Sequence, residues 1–301
     1  MKIAALDIGG TAIKHCLYDD RFAFAQSTVG ETPTQASLGG QAVLQKAEAI
    51  LARMGSFDAI AVSTAGQIDT GRGTVVYATD NIPHYTGMPI RGILEQRFGV
   101  PAAVENDVNA AALGEAAAGA GRGLDSFLCL TYGTGIGGAV FLGGEVYHGS
   151  SFSAGEMGHI ITHAGGLPCT CGGCGCYECY ASTTALTRMV KERTGLRLNG
   201  REIFQKLGDE RVLQAVEAWI REIMWGLVSL IHVFNPPTVI LGGGIMREKF
   251  ICGYLREHIG SLLMPSYRGV EIRQAELGNL AGLRGAAALA EQLVKKEGAG
   301  Q

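Results

Sequence analysis

Five of the eight cysteines stand in residues 169–179, CTCGGCGCYEC, a short way after His159 in GEMGHI. Thiols this close together can form disulfides, run thiol–disulfide exchange or hold a metal. His159, Cys169, Cys171 and Cys176 offer one imidazole and three thiolates, a set that can close a tetrahedral zinc shell. Four protein ligands leave no open position, so such a zinc is structural, and it would replace the core that an apolar-poor loop lacks. A redox pair at Cys171 and Cys174 has the C-x-x-C spacing but not the βαβ surroundings of that chemistry. Disulfides suit an oxidising compartment, whereas the start, MKIAALDIGG, reaches Asp7 too soon for a signal peptide. No apolar run approaches the ~18 residues of a membrane span, and a cytoplasmic location is expected. Two carboxylates, Glu156 and Glu178, flank the cluster.

Three glycine turns offer a second chemistry. Asp7-Ile8-Gly9-Gly10-Thr11, with Lys14, brings backbone N–H groups, a hydroxyl, a cation and a carboxylate. Bare N–H groups in a tight turn bind anionic oxygens, and the carboxylate suits a magnesium ion carried in with phosphates. Gly133-Thr134-Gly135-Ile136-Gly137-Gly138 repeats the device without charges. Gly242-Gly243-Gly244 lies between a strand and a helix, where the helix dipole favours an anion. None is a P-loop, because no Gly-Lys-Ser/Thr closes it. Any one alone reads as a hairpin turn; together they point to a nucleotide cleft between two similar domains.

The elements that must position these turns alternate. KIAALDI and AIKHCLYD, closed at Asp19–Asp20, form a hairpin; helix 41–54, strand 58–66, helix 88–98, strand 100–105 and helix 106–120 follow. Asp107 stands where that last helix would take its N-cap. Strand, Gly/Thr turn and strand then recur over 126–149, which puts a domain boundary near 115–123. Residues 155–180 carry too much Gly and Cys for regular structure. Val216, Ile220, Ile223, Leu227, Ile231 and Phe234 recur at helical spacing over 212–234, ended by Asn235-Pro236-Pro237. The strand TVILGGGI (238–245) and a final helix complete an α/β class. A net charge of −3 without a basic block gives no sign of nucleic-acid or membrane partners.

The DIGGT, GTGIGG and LGGG turns resemble the nucleotide loops of the actin-like sugar kinase superfamily. The Glu–His–Cys segment narrows the resemblance to the ROK family of bacterial kinases and repressors, from residue 3 to about 292. ROK members carry G-E-x-G-H and then C-x-C-G-x-x-G-C-x-E; here Cys174 and Cys179 are additional, and Cys176 keeps the family interval. The resemblance implies two actin-like (ribonuclease H-like) ATPase domains with a cleft between them: 1–117, completed by helix 287–301, and 118–286, with the zinc loop at 155–180. It implies ATP, magnesium and structural zinc, and a homodimer or homotetramer. Glu105-Asn106-Asp107 matches the family's E-N-D, whose aspartate is the general base toward a sugar's primary hydroxyl. A position at a helix N-terminus predicts a low pKa for it. Asn106, Glu156, His159 and Glu178 are implied sugar contacts; Gly66 and Asn81 would line the pocket, and His84-Tyr85-Thr86-Gly87 departs from the family's rim. Glucose is the expected substrate and N-acetylmannosamine the alternative, with fructose and mannose open. With only six residues before Asp7, the DNA-binding domain of the sugar-sensing regulators is not expected here.

Overall fold

The computed structural model describes residues 1–19 and 29–299; Asp20, at the expected end of the first hairpin, and residues 300–301 of the expected last helix lie outside them. Two compact units result. One comprises Met1–Gly123, Glu145–Ala154 and the chain from Asn279 on; the other comprises Leu124–Gly144 and Gly155–Gly278. Residues 145–154 and 279–286 thus group with the first unit.

The first unit is built on β1 (Lys2–Ile8), β2 (Ala12–Asp19), β3 (Gly30–Pro33), β4 (Ala59–Thr64), β5 (Gln67–Asp69), β6 (Thr74–Tyr77) and β7 (Ala102–Asn106). Its main sheet runs β3-β2-β1-β4-β7, with β5 and β6 as a separate pair. β1, β2 and β3 are antiparallel neighbours, while β1, β4 and β7 are parallel. All six residues of β4, AIAVST, are buried, as expected of a parallel strand covered on both faces. α1 (Gly40–Leu51) and α2 (Ile90–Phe98) belong with one apolar core of this unit; α9 (Ala281–Ala299) covers another, against Ile3, Ala5, Ala59, Ala61 and Ala103. Register sets Asp7 level with Lys14 on one side and Ser63 on the other, and Thr64 level with Asn106. Polar groups therefore gather at the carboxyl ends of the parallel strands, where open α/β sheets bind ligands.

α3 (Asp107–Ala118) and α9 pack through small residues. A Cβ at Gly285 would overlap the Ala110 carbonyl oxygen, and one at Gly114 that of Ala281. Gly285→Ala is expected to destabilise the fold by about 2 kcal/mol through overpacking. Urea unfolding checks this, and an unchanged midpoint would contradict it.

The second unit repeats the plan. β8 (Phe127–Tyr132), β9 (Ile136–Leu142), β11 (Thr238–Gly242) and β12 (Glu271–Gln274) lie in the order β9-β8-β11-β12, with β8/β9 antiparallel and the rest parallel. That is the β2-β1-β4-β7 run of the first unit, the repeated sheet of the actin-like ATPase fold. The short β10 (Glu145–Val146) belongs to the first unit. α4 (Glu178–Ala181), α5 (Thr183–Thr194), α6 (Gly200–Gln205), α7 (Glu210–Phe234) and α8 (Lys249–His258) complete the second. The apolar row of α7 is buried from Val216 to Ile231, with Phe234 exposed at its end. After Gly243 the chain first makes a 3-10 turn, Gly244–Arg247, and only then α8. Among the described residues no helix is long and apolar enough to cross a membrane.

Candidate active site

In the first unit, Ser63 Oγ donates to Asp7 Oδ1 at 2.7 Å, and Lys14 Nζ lies 3.4 Å from Asp7 Oδ2. The Gly9 N–H closes the hairpin on the Ala12 oxygen, and Thr34 Oγ1 donates to the Gly9 carbonyl. The turn therefore offers the exposed Gly10 and Thr11 rather than Gly9. Gly282, in the first turn of α9, has no room for a Cβ beyond 3.0 Å from Asp7 Oδ1.

Asn106, not Asp107, caps α3: its Oδ1 accepts from the N–H groups of Val108 and Asn109. Its Nδ2 donates to the Gly66 carbonyl at 2.9 Å and to Asp107 Oδ1 at 3.0 Å. Asp107 falls one place later, in the first turn, half-buried, and its Oδ1 also accepts from Val108 N. The low pKa expected of it is wrong. Loss of solvent and then the charge of Asp7 push it up to about 6, against the hydrogen bonds that lower it. Desolvation outweighs the helix terminus here. Gly66 adopts φ +102° beside the Tyr77 carbonyl, and Asn81 is exposed.

In the second unit, a cavity of about 560 Å³ is lined by Gly133, Thr134 and Gly244 from two of the glycine turns. Gly135, Gly137, Gly242 and Gly243 are not among its lining residues. Gly243 instead lets the backbones meet: at φ +94° a Cβ there would overlap the Tyr132 carbonyl. The remaining wall includes Tyr132, Thr183, Thr184, Thr187, Asn199 and Arg247, which the glycine motifs did not reveal. For the three threonines the signal was the hydroxyl-rich STTALT at a helix start, where Ser182 caps α5 and Thr184 Oγ1 donates to the Thr134 carbonyl at 2.8 Å.

The cysteine loop of this unit is more ordered than its composition predicts. A 3-10 turn spans Met157–His159, and isolated bridges join Ile161 to Cys176 and Pro168 to Cys174. Ligand atoms of His159, Cys169, Cys171 and Cys176 all lie within 4.8 Å of one another. Cys169 Sγ is 3.6 Å from His159 Nδ1, and Cys171 Sγ is 3.6 Å from Cys176 Sγ. Tetrahedral zinc with ~2.3 Å bonds to sulfur sets neighbouring ligands about 3.7 Å apart, so the four residues fit. Burial, then the neighbouring thiols, raises the Cys176 pKa to about 12, so a thiolate there would need a cation beside it. Neither Cys174 nor Cys179 belongs to the four-atom cluster, and Cys179 Sγ turns to the Pro168 carbonyl.

With Nδ1 toward the sulfurs, His159 Nε2 lies on the side of Glu156, 3.9 Å from its Oε2. Glu178 accepts from Ile136 N at 3.3 Å, so the GTGIGG turn and the cysteine loop share this carboxylate.

Residues 3–293 match the model of the ROK family. The chain belongs to the ROK family. Over 95% of this ROK chain, identity to the glucokinase of Streptomyces coelicolor is 34%, covering 96% of that protein. The beta-glucoside kinase of Listeria monocytogenes is 33% identical over 95% of the chain and 96% of its own length. The crystal structure of a ROK family glucokinase from Streptomyces griseus in complex with glucose and AMPPNP matches with a TM-score of 0.84 at 31% identity. It covers 97% of this ROK chain and 100% of that one.

Proposed function

We propose that this ROK protein is an ATP-dependent sugar kinase that moves the γ-phosphoryl group of ATP to the primary (C6) hydroxyl of a hexose, glucose foremost. The observation that carries this reading is the shared architecture, TM-score 0.84, with a kinase holding glucose and an ATP analogue together. Asp107 is assigned as the base. As the hydroxyl oxygen bonds to the γ-phosphorus, the bond from phosphorus to the β,γ-bridging oxygen breaks; ADP leaves and Asp107 takes the hydroxyl proton. Positioning and charge stabilisation dominate such transfers, so a carboxylate of modest basicity suffices. The cavity at Gly133, Thr134 and Gly244 is assigned to the nucleotide, and Asp7, Gly10, Thr11 and Lys14 to its phosphates. Magnesium bound with ATP would neutralise phosphate charge, and Asp7 is the carboxylate suited to it.

Glu156, His159 and Glu178 are assigned to sugar hydroxyls, with Gly66 and Asn81 at the rim. Asn106, its amide already committed to the cap, to Gly66 and to Asp107, is assigned to holding the base in place. Zinc on His159, Cys169, Cys171 and Cys176 would fix the loop and leave His159 Nε2–H to donate. A coupled ADP-release screen over glucose, mannose, fructose, N-acetylmannosamine and a β-glucoside tests the reading. The highest kcat/KM is expected with glucose, and no ADP release above the sugar-free blank with any of them would overturn it.

A further inference from the structure

The E-N-D segment carries a second acid that the proposed reaction does not use. Glu105 is 1% exposed, although a carboxylate is among the last groups to be buried without partners. Its partners are specific. Oε1 accepts from the backbone N–H of Asn106 at 2.8 Å and from Asn109 Nδ2 at 3.2 Å. Oε2 meets His148 Nε2 at 2.8 Å. Both of those asparagines belong to the start of α3, so Glu105 grips the backbone on which Asn106 and Asp107 stand.

His148 is itself held. It lies on the 145–154 segment, its carbonyl accepts from Ala154 N at 3.1 Å, and its ring meets the edge of Phe152. Ser153 Oγ ties the same segment to Gln67 Oε1 at 2.8 Å, beside the Gly66 carbonyl that Asn106 binds. Three hydrogen bonds thus run in series from His148 through Glu105 and Asn106 to Asp107, inside one unit.

We propose that Glu105 and His148 are positioning residues: a carboxylate–imidazolium pair that holds the Asn106–Asp107 turn and sets an upper pH limit on the reaction. The proposal rests on Asp107 as the base. A buried carboxylate is stable when charged and hydrogen-bonded partners surround it. When His148 loses its proton, the pair loses its counter-charge and its grip on the turn loosens.

Glu105 faces His148 from β7, and Glu145 acts on it from β10; both favour the protonated ring, against the burial that opposes it. Asp107 in turn feels Asp7, which Lys14 pairs. The hydrogen bond to Glu105, first among the causes, raises the His148 pKa above 6.5. The sign follows: the pair is complete below the ordinary histidine pKa and is lost as pH rises through the raised value.

The test is the pH profile of kcat/KM with the ADP-release assay. His148→Gln keeps an N–H donor for Glu105 but cannot titrate. Wild type is expected to lose activity on the alkaline side, whereas His148→Gln, which gives Glu105 a donor but no counter-charge at any pH, should show a flat profile there at the wild type's lowered alkaline level, with its acid limb unchanged. His148→Ala, which leaves Glu105 buried and unpaired, is expected to lower kcat about tenfold at neutral pH with little change in sugar KM, the mark of a displaced catalytic group. NMR titration of the imidazole supplies a reading that does not need turnover: Glu105→Gln should bring the His148 pKa back toward 6.5. An alkaline limb that persists unchanged in His148→Gln, or a His148 pKa indifferent to Glu105→Gln, overturns the proposal. If Asp107→Asn turns over normally, the base assignment beneath it fails instead.

Discussion

Asp107→Asn is expected to lower kcat about 10³-fold, the range lost with a general base, while sugar binding measured by calorimetry stays within about threefold. The amide keeps the shape and the Val108 hydrogen bond but cannot take a proton. It also ends the repulsion with Asp7 that helps raise the carboxyl to about 6, so the fold should not weaken. In the wild type the same carboxyl must be ionised to act. kcat/KM is therefore expected to fall tenfold per pH unit below about 6, and that limb should vanish from the residual activity of the variant. Normal turnover by Asp107→Asn would remove the base from the account.

Loss of the metal is expected to have the other large effect. One zinc per chain should be found by elemental analysis. Cys176→Ser, which removes the most buried of the three sulfurs, should abolish it, together with sugar-dependent ADP release. A loop folded around a metal loses that binding free energy when a ligand goes, so the unfolding midpoint should drop by roughly 10 °C. Cys174→Ser and Cys179→Ser, outside the four-atom cluster, should keep metal, activity and midpoint. Full activity in metal-free protein would show that the loop needs no brace.

These effects were legible in the sequence to different degrees, for physical reasons. A metal shell dictates residue types, so His159, Cys169, Cys171 and Cys176 could be singled out before any coordinates, and the cluster brings these four together. Backbone close approach also leaves its mark: Gly243 under Tyr132 is a position only glycine fills, and the repeated Gly/Thr turn announced the repeated sheet. Side-chain alternatives at one helix start are harder to separate. Asn106 and Asp107 are both good caps, and only the structure gives the cap to Asn106 and leaves Asp107 with a raised pKa. Desolvation depends on everything packed around a group, which no local motif encodes. His148 and Glu105 stand 43 positions apart and meet only because residues 145–154 group with the first unit. Likewise Thr183 and Thr187 read as ordinary helix residues until β8, α5 and the turn after β11 close the cavity around them.

The most direct test of phosphoryl transfer to a hexose is to identify the product. Purified protein incubated with Mg-ATP and glucose should yield ADP and an equal amount of glucose 6-phosphate by phosphorus NMR, with neither formed when the sugar is left out. ADP appearing without any sugar phosphate, or phosphate carried on a hydroxyl other than the primary one, would contradict the account.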